Sequence, residues 1–155
     1  MSYVLDILEV IDWKLPPEPG TVPIPKGHVR LYHQTSEENL GAIKHQGLKF
    51  SKARGFEGPR AIYADEKGFY GKPGDKPTVE FHVHKDRWHP PFVTGEDVKP
   101  HEIIAVHRPW HDRARYAERD PRLIKQIVAG EHDRLLKDDY YHHTVSYIKH
   151  KYGKA

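Results

Sequence analysis

The 155-residue sequence contains no cysteine. That excludes disulfide staples, thiolate metal centres and a cysteine nucleophile, and it suits a reducing compartment. No apolar run approaches the roughly 20 residues that a membrane-crossing helix needs. The first segment, MSYVLDILEVIDW, lacks a basic stretch and carries Asp6, Glu9 and Asp12 among its apolar residues, so it reads as neither a signal peptide nor a membrane span. A cytoplasmic protein with no membrane partner is the expectation. Neither sign of charge dominates: 25 Lys and Arg face 22 Asp and Glu, a formal net charge of +3. This balance is compatible with a polyanionic partner without demanding one. Internal repeats and low-complexity tracts are absent as well.

Proline and glycine are plentiful, 13 and 12 residues, which favours many short elements over a helical bundle. The length and composition suit a single folded domain over 1–155. Residues 15–27, LPPEPGTVPIPKG, hold five prolines. Their fixed φ and missing amide hydrogens dictate an extended connector. HVRLYHQT (28–35) predicts a strand. Thr35 followed by Glu38 has the pattern of a capping box, Leu40 and Ile43 then share a helical face, and Gly47 supplies a stop.

Further strands are expected at AIYA (61–64), TVEFHV (78–83) and EIIAVH (102–107), with a surface loop over 65–77. Four consecutive apolar residues in the last suit a buried central strand. In the final third, Leu123, Ile124, Ile127, Val128 and Leu135 recur at helical spacing. Tyr141, Val145, Ile148 and Tyr152 fall at i, i+4, i+7 and i+11, so 120–153 is expected to form a helical extension.

Three blocks carry chemistry: RLYHQTSEENLGAIKHQGLKF, then GPRAIYADEKGFY, then HEIIAVH. Their order and content resemble the signature blocks of the ADP-ribosyltransferase fold, in the histidine–tyrosine–glutamate branch that includes poly(ADP-ribose) polymerases and diphtheria-toxin-like enzymes. The resemblance spans residues 28–107. It implies an α+β fold with a split, mostly antiparallel sheet and flanking helices around a cleft that takes NAD as co-substrate. In such a fold His33 holds a ribose hydroxyl and Thr35 contacts the nicotinamide amide. Gln34 stands where the family usually has glycine, adding bulk beside the nicotinamide. Tyr63 provides one stacking ring, with Tyr70 opposing it and Phe69 the alternative. Glu102 is matched to the catalytic glutamate, with Glu80 its rival and otherwise a solvent-facing residue.

The chemistry explains the residue types. Breaking the nicotinamide–ribose bond builds positive charge on the sugar, which a neighbouring carboxylate stabilises. Two rings gripping the heterocycle exclude water from that bond. The reaction implied is ADP-ribosyl transfer with nicotinamide release, to a protein or nucleic-acid acceptor, in a toxin or phage-conflict setting. A catalytically silent module binding nucleotide or nucleic acid in the same cleft is the alternative, and an RNA 2′-phosphotransferase ranks below both.

No metal site is expected. His82 and His84 alternate on a strand and share a face, while His142 and His143 diverge on a helix, and exposed histidines explain them better than ligands. HRPWHDRARYAERDPR (107–122) brings five arginines and two aromatics. It reads equally as a phosphate or nucleic-acid contact and as a solvated connector whose charge Asp112, Glu118 and Asp120 dilute.

Overall fold

The computed structural model describes residues 14–49, 62–66, 76–130 and 139–153. Where composition suggests one domain, the contacts group the chain into two compact units: residues 16–109, and residues 110–155 together with the N-terminal residues up to Leu15.

In the first unit the strands are β1 (His28–Gln34), β2 (Ile62–Tyr63), β3 (Thr78–His84), β4 (Trp88–His89), β5 (Phe92–Val93) and β6 (Ile103–His107). They form two three-stranded antiparallel sheets, ordered β1-β3-β6 and β2-β5-β4. With the helices described below, this is a mixed α+β architecture. Register pairs His28 with His84, Leu31 with Phe81 and Gln34 with Thr78. Because side chains alternate across a strand, one face of the ladder carries Leu31, Val79, Phe81 and Val83, all fully buried. The other carries His28, Arg30, Tyr32, Glu80 and His82.

The expected buried central strand is not β6 but β3. Among the described residues β6 lies at the edge of its sheet, and four of its five residues are only half-buried. An apolar run reports that a strand is covered, not which neighbours cover it.

Helix α1 (Glu37–Gln46) buries Leu40 and Ile43 against the apolar face of the ladder. Its start corrects the expected capping box. The N-cap is Ser36, one residue later, and no side chain caps it. Thr35 is instead held by the sheet, its amide donating to the Pro77 carbonyl at 2.9 Å. Its stop is as expected: Gly47 adopts φ 78° and its amide donates to the Ile43 carbonyl. A Cβ there would lie 1.8 Å from the Val98 carbonyl oxygen, because Leu48 pairs with Val98 directly afterwards. Only glycine satisfies both the angle and the approach.

Residues 16–27 carry no helix or strand and turn at Pro19–Gly20 and at Lys26–Gly27, and their backbone groups reach the polar face of the ladder. The Gly20 amide donates to Glu80 at 3.1 Å, and Arg30 donates to the Val22 carbonyl.

In the second unit α2 (Pro109–Glu118), α3 (Pro121–Val128) and α4 (Asp139–Tyr152) pack Trp110, Ala114, Ala117, Ile127, Val145, Tyr147 and Ile148 together. Helix α2 occupies the stretch that reads as a charged connector. Its buried residues Trp110, Ala114 and Ala117 fall at i, i+4 and i+7. Asp120 caps α3, accepting from the amides of Arg122 and Leu123. Two expected core residues are on the outside: Val128 is 40% exposed and Tyr152 is 39% exposed. Leu135 lies outside the described residues, as does the side chain of Tyr141.

Candidate ligand cavity

Strand β1 and helix α1 meet at a cavity of about 500 Å³. His33, Gln34 and Thr35 line it from the end of β1, and Asn39, Ile43 and Gln46 line it from α1. Ile62 adds an apolar wall, and Lys49 and Lys76 bring ammonium groups. The volume falls within the ~300–1,000 Å³ of small-molecule sites, and the lining is mostly polar and charged, with Ala42, Ile43, Leu48 and Ile62 as its apolar part.

Each wall has a local cause. The antiparallel bridge between Tyr32 and Asp65, with amide–carbonyl distances of 2.8 and 3.0 Å, lays the second block alongside the first. Running back from Asp65, the chain passes Tyr63 and Ile62 as β1 runs forward through His33 to Thr35. Thr35 is buried and within 3.5 Å of the Asn39 amide nitrogen through its hydroxyl. Its bond to Pro77 brings Lys76 to the rim. Gln34 is exposed, and the cavity keeps its volume with that side chain in place.

The expected site residues are thus only partly assembled. His33, Gln34 and Thr35 meet at the cavity, and the backbone of Tyr63 lies next to them. Tyr70 and its alternative Phe69 lie outside the described residues, as does the side chain of Tyr63.

Glu102 is not brought there. It closes the 3₁₀ turn Pro100–Glu102 instead of heading β6. Ile103 pairs with Phe81, which pairs with Leu31. Glu102 therefore sits near the level of His82 and Arg30, two strands and three positions from His33, a separation on the order of 14 Å. Its carboxylate accepts from Arg87 at 3.0 and 3.3 Å and from the Lys99 amide at 2.9 Å. Arg87 also donates to the carbonyls of Glu96 and Asp97, so the ion pair pins the loop before β6. Among the described residues lining the cavity, the one carboxylate is Glu38, which is exposed.

Glu80 does not face solvent. It is 1% exposed and accepts from His107 Nε2 at 2.6 Å, from Arg30 and from the Gly20 amide. Burial alone raises its pKa, but the bonds from His107, Arg30 and Gly20 outweigh it and hold the carboxyl below its ordinary range. This network lies on the polar face of the ladder, whereas His33 shares the face of Leu31. The pairing of Arg30 with His82 and of Tyr32 with Glu80 explains it. Alternation within each strand was legible, but the register that joins the two sets was not.

The histidine expectations hold in part. His82 and His84 share a face, but His82 is half-buried, its Nδ1 lying 2.9 Å from that of His28. His142 and His143 are exposed, and His143 stacks on Trp110 at 5.8 Å. No metal-holding cluster of three or more His, Asp or Glu occurs among the described residues. No described helix is long and apolar enough to cross a membrane. No family model, curated protein or solved structure matches the chain.

Proposed function

We propose that the chain is an ADP-ribosyltransferase-like module that binds NAD, or a related nicotinamide nucleotide, in the cavity between β1 and α1. The observation that carries this reading is that His33, Gln34 and Thr35 line one cavity with Ile62, beside the strand that bears Tyr63. The imidazole of His33 suits a ribose hydroxyl. The Thr35 hydroxyl and the Asn39 amide suit a carboxamide, which both donates and accepts. Lys49 and Lys76 suit the pyrophosphate. Gln34 leaves the cavity open, so the loss of the usual glycine does not count against binding.

Binding without turnover ranks above ADP-ribosyl transfer. Transfer needs a carboxylate within a few ångströms of the sugar that His33 would hold, and Glu102 is engaged by Arg87 at the other end of the ladder. One observation favours transfer: Glu38 lines the cavity and is not committed to capping α1. Under that second reading Glu38 stabilises the sugar cation, and the acceptor is a protein or a nucleic acid.

Chromatography of nicotinamide released from NAD separates the two. The binding module releases none above the protein-free rate, with or without added acceptor. Release that disappears in Glu38→Gln would establish the transferase reading in its place.

A further inference from the structure

Alternation along β3 groups His82 with His84, but the imidazole that meets His82 comes from across the ladder. Register sets His28 opposite His84 and Arg30 opposite His82, so His28 and His82 are diagonal neighbours, close enough for their rings to touch. The rings meet edge to face with centroids 4.9 Å apart, and the two Nδ1 atoms lie 2.9 Å from each other. The backbone beneath them is anchored. The Lys85 amide donates to the Gly27 carbonyl at 2.9 Å, and the His28 amide to the Pro25 carbonyl at 3.2 Å. Both histidines are half-buried, so the pair is held in place and still within reach of solvent.

Two imidazole nitrogens that face each other are satisfied in one of two ways: one ring donates a proton to the other, or both lone pairs take one metal ion. The separation indicates which ion. Nitrogens about 2.0–2.1 Å from a metal stand about 2.9 Å apart at adjacent corners of a square, and about 3.3 Å apart at the corners of a tetrahedron. The observed 2.9 Å is the square-planar or tetragonal spacing, which suits Cu(II) and Ni(II) better than zinc. Beyond His28, the charge acting most on His82 is the Glu102 carboxylate, ahead of His101 and Arg30. The Arg30 guanidinium is itself engaged by Glu80 and the Val22 carbonyl. His84 gives no third donor. Its Nδ1 accepts from the Asp86 amide at 3.2 Å and lies 3.3 Å from the Asp86 carboxylate, and its ring meets His28 by the edge at 5.7 Å.

The geometry points to a two-histidine chelate: His28 and His82 bind one Cu(II)- or Ni(II)-class ion through their Nδ1 atoms, with the other positions on the ion taken by water or a small exchangeable ligand. The site lies on the polar face of the ladder and does not rest on the reading of the cavity.

Isothermal titration of Ni(II) chloride into the untagged full chain tests it. One Ni(II) per chain is expected to bind ahead of weaker surface histidines. Affinity is expected to fall roughly tenfold or more in His28→Asn and in His82→Gln, since even the outer partners of a metal ligand are worth about 10–100-fold. His84→Ala and His142→Ala are expected to bind like the parent. With one equivalent of Cu(II), the electron spin echo modulation of the parent is expected to show two imidazole nitrogens, a readout that needs no variant. The proposal is overturned if Ni(II) binding does not saturate at one per chain, or if either ligand variant, folded by circular dichroism, binds like the parent. One imidazole nitrogen or none on Cu(II) overturns it too. So does loss of binding in His84→Ala, which would make the site a three-histidine one, or in His142→Ala, which would place it on the helical unit.

Discussion

Among the described residues of the sheet-bearing unit, the two buried carboxylates are each shared between an arginine and a backbone amide, and these partners decide what the acids can do. Glu102 is held by Arg87 and the Lys99 amide, so its work is to fix the loop before β6. Glu102→Gln leaves the Arg87 guanidinium, itself 17% exposed, without its counter-charge. A loss of about 3 kcal/mol of stability is expected, measured by urea unfolding, with NAD affinity unchanged where the variant is folded. Loss of affinity with normal stability would place Glu102 at the ligand after all.

His82 gives a second test at this scale. Burial, with the His28 charge next, holds its pKa below the ordinary 6.5 against the opposing charge of Glu102, and His101 and Arg30 add smaller lowering contributions. The unfolded chain therefore takes up a proton that the folded chain resists. Stability is fully present above about pH 6.5 and declines as pH falls through that value toward the folded pKa. Unfolding midpoints between pH 7.5 and 5.5 are expected to fall, and His82→Gln to flatten the decline (both pH values chosen to bracket roughly the histidine range). Parallel slopes in parent and variant would exclude His82 as the cause.

Local elements were legible wherever a single residue's chemistry forces the outcome. Gly47 ends α1 because no residue with a Cβ satisfies φ 78° against the Val98 carbonyl, and the sequence places glycine there. Gly47→Ala is expected to cost about 2 kcal/mol or more, read as a fall in thermal midpoint, with the Leu48–Val98 pairing the first contact to loosen. A midpoint within error of the parent would mean that the junction relaxes freely. Leu40 and Ile43 took their buried places for the same local reason, an amphipathic spacing. The capping box failed because Thr35 has two suitors, and the carbonyl of Pro77 outcompeted the helix. Helix α2 was obscured by its arginines, although Trp110, Ala114 and Ala117 carry its buried stripe. Two alanines are too small to stand out in a hydropathy reading, and they are the residues that close helix packing needs.

At the scale of the molecule, the missing information was strand order and register. The sequence showed which residues alternate in 28–34 and 78–84. It did not say that Tyr32 opposes Glu80, which turns a residue expected in solvent into the most buried acid described. Nor did it say that Glu102 falls at the Arg30 level of the ladder, away from His33. The first two chemical blocks do meet, because the Tyr32–Asp65 bridge lays one beside the other. The central claim therefore rests on the cavity they share. Isothermal titration of NAD into the full chain tests it most directly. Saturable binding is expected, weakened roughly three- to tenfold in His33→Ala and in Thr35→Ala by the loss of one hydrogen bond each, and unchanged in Glu102→Gln. The absence of NAD binding to the folded parent, or affinity indifferent to His33 and Thr35, would contradict it.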